Sequence, residues 1–138
     1  MLPDDLEVST DPARIDRDLV YGFLRTSYWA YERPRDVVER SILNSLVFGA
    51  YSSGRQVAFA RVISDRAVFG YLADVFVVPE FRGRSISKTL MRAILTHPDV
   101  AGLNMLMLRT RDAHGLYAQF GFTPLPSPSE MLVRYAER

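Results

Sequence analysis

The sequence predicts a mixed α/β protein with one central, mostly antiparallel sheet. One observation behind this prediction is the order of elements, in which two helices precede three strands joined by turns, a crossover helix and a parallel strand. The other is a change of period, from an apolar strand that ends at Pro79 to an amphipathic helix that begins near Ile86. With 138 residues the chain is about one domain long, so we expect 1–138 to fold as a single domain.

The first third of the chain predicts a short strand and two helices. Apolar residues at helical spacing predict helices at about 12–26 and 35–44, after a short strand at 6–8. The predicted loop between the helices is rich in aromatic residues, among them Tyr28 and Trp29. Such side chains either pack on a core, which is the slightly stronger interpretation, or line a ligand pocket, an interpretation that the loop position strengthens.

The middle of the chain predicts an antiparallel meander. Residues 47–51 and 57–63 have strand patterns and are joined by a turn at 52–54. The second of these strands is apolar on both faces, which is typical of a central strand. The run at 75–78 is apolar throughout, so a third buried strand ends here, and Pro79 cannot continue its ladder.

The last third predicts further strands around a short helix. A parallel strand is expected at Met105–Leu108, followed by a helix at 113–120. Phe122 is expected to begin the next strand, and three prolines make 124–129 a loop. A last strand at 131–135 is expected to close the sheet.

The turn between the third buried strand and the following helix is a candidate anion site. Residues 82–87 read Arg-Gly-Arg-Ser-Ile-Ser and lead into a helix N-terminus, where the first N–H groups lack partners. Such turns bind phosphate, and Arg82 and Arg84 add positive charge. A capped helix start with two solvated arginines is an equal alternative from spacing alone. The missing Gly-Lys-Ser/Thr ending excludes a P-loop, and the single glycine excludes a dinucleotide fingerprint.

Two stretches resemble one enzyme family. The run VFVVPEFRGRSIS at 75–87 resembles the acetyl-CoA-binding motif of the GCN5-related N-acetyltransferases, the GNAT superfamily. The run RTRDAHGLYAQFGF at 109–122 is similar to a segment typical of one group of these enzymes. The resemblance implies the GNAT fold, with six to seven strands and about four helices. It also implies transfer of an acetyl group from acetyl-CoA to an amine in a direct ternary complex.

The same resemblance implies where the cosubstrate binds. The backbone of Phe76, Val77 and Val78 would bind the pantetheine arm, and an N–H of Phe76 or Val77 would polarise the acetyl carbonyl. The turn would hold the pyrophosphate through its backbone N–H groups and two arginines. Its residues are Arg82, Gly83, Arg84, Ser85, Ile86, Ser87 and Lys88.

Amine acetylation needs two proton movements. A protonated amine with a pKa near ~10 must lose a proton, which costs about 4 kcal/mol at pH 7 without a base. The departing thiolate then benefits from an acid. In the family, a tyrosine at the position of Tyr117 commonly faces the sulfur, so Tyr117 is the expected general acid. Asp74 is the expected base, with Glu80 and a water relay as alternatives.

The acceptor and the partners are less defined. We expect a small-molecule or peptide amine as acceptor, with Tyr28 and Trp29 as its binding residues. The family commonly pairs exposed strand edges near the C-terminus, so the resemblance also implies a homodimer.

Composition limits the chemistry. The absence of cysteine excludes disulfides, thiolate metal sites and a cysteine nucleophile. His97 and His114 are the only histidines, and neither has a partner at ligand spacing, so we expect no metal. The start of the chain lacks a signal pattern and no apolar run approaches ~20 residues, so we expect a cytoplasmic protein without a membrane partner.

Two other functions stay open. Ser85 and Ser87 replace the glycines of the motif and add side chains where the ligand comes closest, which favours a non-catalytic acyl-CoA sensor or interaction module of the same fold. A nucleic-acid-binding domain would use four arginines, namely Arg82, Arg84, Arg109 and Arg111. The net charge of +1 makes that alternative weak, so we expect no nucleic-acid partner.

Overall fold

The computed structural model describes residues 2–137, which form one five-stranded sheet of order β1-β2-β3-β4-β5. The strands are β1 (Glu7–Ser9), β2 (Leu46–Ser52), β3 (Arg55–Ser64), β4 (Phe69–Val77) and β5 (Met105–Leu108). The helices are α1 (Arg17–Leu24), α2 (Arg35–Leu43), α3 (Ile86–Thr96), α4 (Pro98–Ala101) and α5 (His114–Ala118). Strands β1 to β4 pair antiparallel and β5 pairs parallel to β4, which confirms the predicted mixed sheet.

The core lies on the central strands. Strand β2 is buried along its whole length and β3 along most of it. Helix α3 buries one face, made by Ile86, Leu90, Met91 and Ile94, and each such side chain contributes about 1.5–3 kcal/mol. Among the described helices, none is long and apolar enough to cross a lipid bilayer.

The helix predicted at 12–26 is wrong at its start. The chain forms a 3₁₀ turn at Pro12–Arg14, and α1 begins only after Asp16. The carboxylate of Asp16 accepts a hydrogen bond from the N–H of Leu19 at 3.0 Å, so Asp16 is an N-cap. Its own N–H donates to Oε1 of Gln56 on β3 at 2.7 Å. A contact with a distant strand therefore fixes where this helix starts.

The strands predicted at Phe122 and 131–135 are not formed, since residues 122–137 contain no strand. Three prolines lie in this segment and remove backbone donors that a ladder needs. Residues 131–137 remain exposed, and Leu132 keeps 95% of its accessible surface. The sheet of the described chain therefore has five strands rather than the six to seven expected.

Strands β4 and β5 separate part-way along the sheet. Only residues 69–72 of β4 pair with β5. Beyond them β4 continues to Val77, whereas β5 ends at Leu108 and the chain turns toward α5. Beside this point Asp74 adopts a left-handed conformation with φ 55°, and the register between β3 and β4 shifts. A gap therefore opens between residues 73–77 and 109–117.

Candidate active site

The turn between β4 and α3 has a backbone suited to bind an anion. A 3₁₀ turn at Pro79–Phe81 leads to Gly83 and Ser85, which have φ values of 77° and 62°. The Ser85 side chain makes no capping hydrogen bond, so the first N–H groups of α3 have no side-chain acceptor from that residue. These groups lie at the positive end of a helix of 11 residues.

A cavity of about 300 Å³ lies over this turn and is called the turn cavity below. It is lined by Val77, Phe81, Arg82, Gly83, Ser85, Ile86, Ser87, Lys88 and Leu116. Nε of Arg82 donates to the Val77 carbonyl at 3.1 Å. The Arg84 guanidinium carbon lies 4.8 Å from the ring centre of Phe81. Two cationic groups therefore stand close to the backbone donors of the turn.

The free edge of β4 faces the gap. The N–H of Val78 donates to the carbonyl of Val57 on β3 at 2.9 Å, so that group is used within the sheet. Since backbone groups alternate in direction along a strand, Phe76 also faces β3, whereas Val75 and Val77 face the gap. The bond from Arg82 to the Val77 carbonyl agrees with this direction. Of the three strand residues expected to bind pantetheine, Val77 thus presents its backbone to the gap.

A second cavity, of about 790 Å³, occupies the gap between β4 and β5. We call it the arginine cleft because four arginines line it, namely Arg33, Arg61, Arg109 and Arg111. The two cavities are neighbours along the same elements. Val77 and Leu116 line the turn cavity, while Val75 and Tyr117 line the arginine cleft.

Asp74 forms a buried charge cluster at the floor of the arginine cleft. Its carboxylate accepts hydrogen bonds from Arg61 Nε at 2.7 Å, from Arg33 Nη1 at 2.8 Å and from Trp29 Nε1 at 2.8 Å. Only 6% of the Asp74 surface remains accessible. Burial acts to raise the pKa of this carboxyl, but Arg61, followed by Arg33 and Trp29, outweighs it and holds the pKa below its ordinary value. Asp74 is therefore ionised, and both of its carboxylate oxygens accept hydrogen bonds.

Comparisons with known proteins decide the family. A family model described as the acetyltransferase (GNAT) domain matches residues 44–124. A Gibberella zeae protein that is named as a candidate acetyltransferase is 30% identical over 139 residues, which cover 83% of this chain and 77% of that protein. This chain belongs to the GNAT acetyltransferase family.

Solved structures agree with this GNAT assignment. A candidate acetyltransferase of the GNAT family from Xanthomonas campestris is 50% identical with a TM-score of 0.94, covering 99% of this chain and 96% of that one. A predicted acetyltransferase from Clostridium acetobutylicum, solved with acetyl-CoA, has a TM-score of 0.69 at 15% identity over 95% of both chains, a likeness of fold alone. The five-stranded sheet and its helices thus form a GNAT fold.

Tyr117 of this GNAT domain lines the arginine cleft and follows Leu116, which lines the turn cavity. Its N–H bonds the carbonyl of Ala113, and its ring packs edge-on against Phe122 with 5.8 Å between the centroids. Burial, and then the neighbouring Tyr28 and Asp112, raises the pKa of Tyr117 above its ordinary value. The hydroxyl is therefore protonated at neutral pH and can donate a hydrogen bond or a proton.

The two carboxylates considered as bases differ in their surroundings. Asp74 lines the arginine cleft but accepts three strong hydrogen bonds, which makes it a weak base. Glu80 lines neither cavity and is paired with Arg55 at 2.8 Å on the surface. The hydrogen bond from Arg55 is the main reason that the pKa of Glu80 is lowered.

The aromatic residues of the loop between α1 and α2 line the arginine cleft. The rings of Tyr28 and Trp29 meet edge-on with 5.2 Å between centroids, and 40% of the Trp29 surface is exposed. The Arg111 guanidinium carbon lies 3.7 Å from the Tyr28 ring centre, which joins this loop to the segment before α5. The loop therefore forms one wall of the cleft.

Sequence reasoning missed Arg33 and Arg61. Arg61 interrupts the otherwise apolar run of β3, and a buried arginine in such a strand needs an internal acid. Such an arginine indicates an ion pair, but the sequence does not show that its partner is Asp74 on the neighbouring strand β4. Among residues 2–137 no group of three or more histidine, aspartate or glutamate side chains is arranged to hold a metal ion.

Proposed function

We propose that this GNAT protein moves an acetyl group from acetyl-CoA to a primary amine in a direct ternary complex. The observation that carries the proposal is that neighbouring residues of β4 and α5 line the two cavities, Val77 and Leu116 the turn cavity and Val75 and Tyr117 the arginine cleft. Substrates bound in the two cavities would meet at these residues. The fit of the turn supports it further. Gly83 and Ser85 bend the backbone so that its N–H groups are left for a pyrophosphate.

The residues would divide the chemistry as follows. Acetyl-CoA supplies an activated acyl group on sulfur, and the acceptor nitrogen forms a bond to the carbonyl carbon as the C–S bond breaks. The N–H of Val77 would stabilise the charge on the carbonyl oxygen, because it faces the gap. The Tyr117 hydroxyl would give its proton to the departing thiolate. The proton that the attacking nitrogen still has to lose as the amide forms would return to the Tyr117 oxygen through water.

We assign Asp74 a positioning role in this reaction rather than that of the base. Its three hydrogen bonds tie Trp29 and Arg33 of the aromatic loop to Arg61 of the sheet, so the wall of the cleft is held in place. Its lowered pKa makes it a poor proton acceptor. Solvent in the open cleft would then take the proton that the ammonium group loses.

Calorimetric titration of acetyl-CoA tests the proposal first, with CoA and pantetheine as controls. Tight binding that weakens without the pyrophosphate would support the turn as the binding site. An amine screen would follow, with Tyr117→Phe as the control. Failure of the wild-type protein to bind acetyl-CoA at millimolar concentration would refute the proposal.

A non-catalytic acyl-CoA sensor is the second candidate, favoured by Ser85 and Ser87 at glycine positions of the motif. Tight acetyl-CoA binding without turnover of any amine would select it. A nucleic-acid domain gains no support, because Arg82 lines the turn cavity while Arg109 and Arg111 line the arginine cleft. The homodimer and the cytoplasmic location stay predictions, and sedimentation would test the first.

A further inference from the structure

We propose that the acceptor is an amine that also carries an anionic group, bound by Arg109 and Arg111 in the arginine cleft. The anion is a carboxylate or a phosphate, which share the oxygen acceptors that an arginine fork recognises. This inference rests on the proposed acetyl transfer, because it names the substrate class of that same site.

The charges of the arginine cleft leave a positive excess. Four arginines line it against two aspartates, Asp74 and Asp112. Both oxygens of the Asp74 carboxylate accept hydrogen bonds, from Arg33, Arg61 and the indole of Trp29. Those two arginines share one carboxylate, so the cluster keeps one excess positive charge, but both guanidinium groups are held toward Asp74.

Arg109 and Arg111 are in a different situation. Within residues 2–137 neither makes an ion pair with a carboxylate. Arg109 donates from Nη1 to the hydroxyl of Tyr135 at 3.2 Å, which leaves its other N–H groups for a ligand. Two guanidinium groups therefore offer unpaired charge to whatever enters the cleft.

The position of Arg111 favours a planar anion. Its guanidinium lies over the ring of Tyr28 at 3.7 Å, so one face of the guanidinium is covered. Stacking uses the face and leaves the in-plane N–H donors free, the arrangement in which arginine binds carboxylate or phosphate with two hydrogen bonds. The contact also limits the motion of the side chain, which lowers the entropy lost when a ligand binds.

The cleft can hold both ends of such a molecule. Arg109 and Arg111 line it together with Tyr117, and its volume of about 790 Å³ suits a small metabolite. An anion at the arginines would fix the acceptor so that its amine lies toward Tyr117 and the free edge of β4. The aromatic walls, Tyr28 and Trp29, favour an acceptor with a flat or apolar part.

The same charge pattern disfavours polycationic acceptors. A polyamine or an aminoglycoside needs several unpaired carboxylates, and Asp112 is the one lining carboxylate without an ion pair in the described chain. Two unpaired arginines beside it would repel additional ammonium groups. Arg109 and Arg111 therefore determine that anionic amines are preferred over polycationic ones.

The test compares four amines in acetyl transfer with wild-type protein, Arg109→Gln, Arg111→Gln and the control Arg40→Gln. Tyrosine carries a carboxylate, phosphoethanolamine a phosphate, tyramine neither, and spermidine only cations. We expect each cleft variant to lower kcat/KM for tyrosine or phosphoethanolamine about tenfold, mainly through KM. Tyramine lacks the anion, so its loss in each cleft variant should be several-fold smaller than the loss for tyrosine. Arg40 lies on an exposed face of α2, so its variant should change no amine.

Taking the ratio between variant and wild type for one amine cancels differences in amine basicity. The larger loss, for tyrosine or for phosphoethanolamine, identifies the source of the anion. Equal losses for tyramine and tyrosine, or a preference for spermidine, would overturn the inference.

A second measurement separates this inference from the proposed reaction. Tyrosine and phosphoethanolamine are titrated calorimetrically into the protein saturated with CoA, and tyramine is titrated as the reference. Binding of an anionic amine that Arg111→Gln abolishes, without turnover, would keep the anion site and reject acetyl transfer. Turnover of tyramine without any arginine-dependent binding of the anionic amines would keep acetyl transfer and reject the anion site.

Discussion

The turn cavity and the arginine cleft are built in opposite ways. The turn cavity comes almost entirely from one stretch, residues 77–88, which contains the turn and the first backbone N–H groups of α3. The arginine cleft takes side chains from the α1–α2 loop, β3, β4 and the segment after β5. Its central carboxylate, Asp74, joins Trp29, Arg33 and Arg61, which are 45, 41 and 13 residues distant along the chain.

This difference decides how each site responds to substitution. A site made of backbone donors keeps its chemistry when side chains change, provided that the turn keeps its dihedral angles. A site made of a buried side-chain cluster fails when one member is lost, because the others keep unpaired charges. The arginine cleft should therefore be the fragile half of the site and the turn cavity the tolerant half.

The largest effect is expected from Asp74→Asn, which keeps the shape and the left-handed backbone but removes the charge. Arg61 and Arg33 would lose their shared partner, so the free energy of unfolding should fall by about 3 kcal/mol. Urea denaturation measures this. The control Asp36→Asn, at an exposed pair with Arg40, should cost about 0.5 kcal/mol. Similar losses in both variants would contradict a fragile cleft.

The next effect is expected at Tyr117, which lines the arginine cleft next to Leu116 of the turn cavity. Tyr117→Phe should lower kcat about a hundredfold, since it removes the proton donor but keeps the packing against Phe122. Acetyl-CoA affinity should stay within twofold. Steady-state kinetics and calorimetry check the two parts, and an unchanged kcat would show that another group protonates the thiolate.

A smaller effect, an increase in stability, is expected from a substitution in the turn. Ser85 has φ 62° without a capping bond, so Ser85→Gly should raise the free energy of unfolding by about 1 kcal/mol. The site should keep or gain acetyl-CoA affinity, because its donors belong to the backbone. Thermal unfolding and calorimetry test this, with Ser87→Ala as the control inside α3. Loss of binding in Ser85→Gly would mean that the serine side chain itself contacts the ligand.

The smallest effect is a change in the acid dependence of stability. Asp74 has a pKa lowered below the ordinary aspartate value of about 3.9, so its contribution is complete above that value and is lost as the pH falls toward the folded pKa. The difference in the free energy of unfolding between wild type and Asp74→Asn should therefore be constant from pH 7 to 5 and decrease below about pH 4. If this difference instead decreases between pH 7 and 5, the pH dependence of stability comes from another group.

The fold and the turn could be predicted because their signals are contiguous. The helix face of Ile86, Leu90 and Ile94 follows directly from its spacing, and the stretch from Val75 to Ser87 contains strand, stop, turn and helix in order. The family motif lies in the same stretch. Local sequence was therefore enough to predict the strand, the turn and the helix of this half of the molecule.

The remaining features depend on tertiary contacts that spacing does not encode. The start of α1 is set by the bond between Asp16 and Gln56, and the sequence pattern alone favoured a longer helix. The arginine cleft escaped prediction because Arg61 and Asp74 become partners only when β3 and β4 pair. The prediction of a last strand at 131–135 was wrong because a strand also needs a neighbouring strand to pair with. The residue pattern does not show whether one is available.

The left-handed backbone of Asp74 has a consequence for how this position can vary. Glycine and asparagine tolerate φ 55° but carry no charge, whereas glutamate carries the charge but fits that dihedral poorly. No single replacement satisfies both demands. In a library of all substitutions at position 74, nearly every variant should be destabilised. Replacements should be tolerated only when Arg61 and Arg33 are replaced as well.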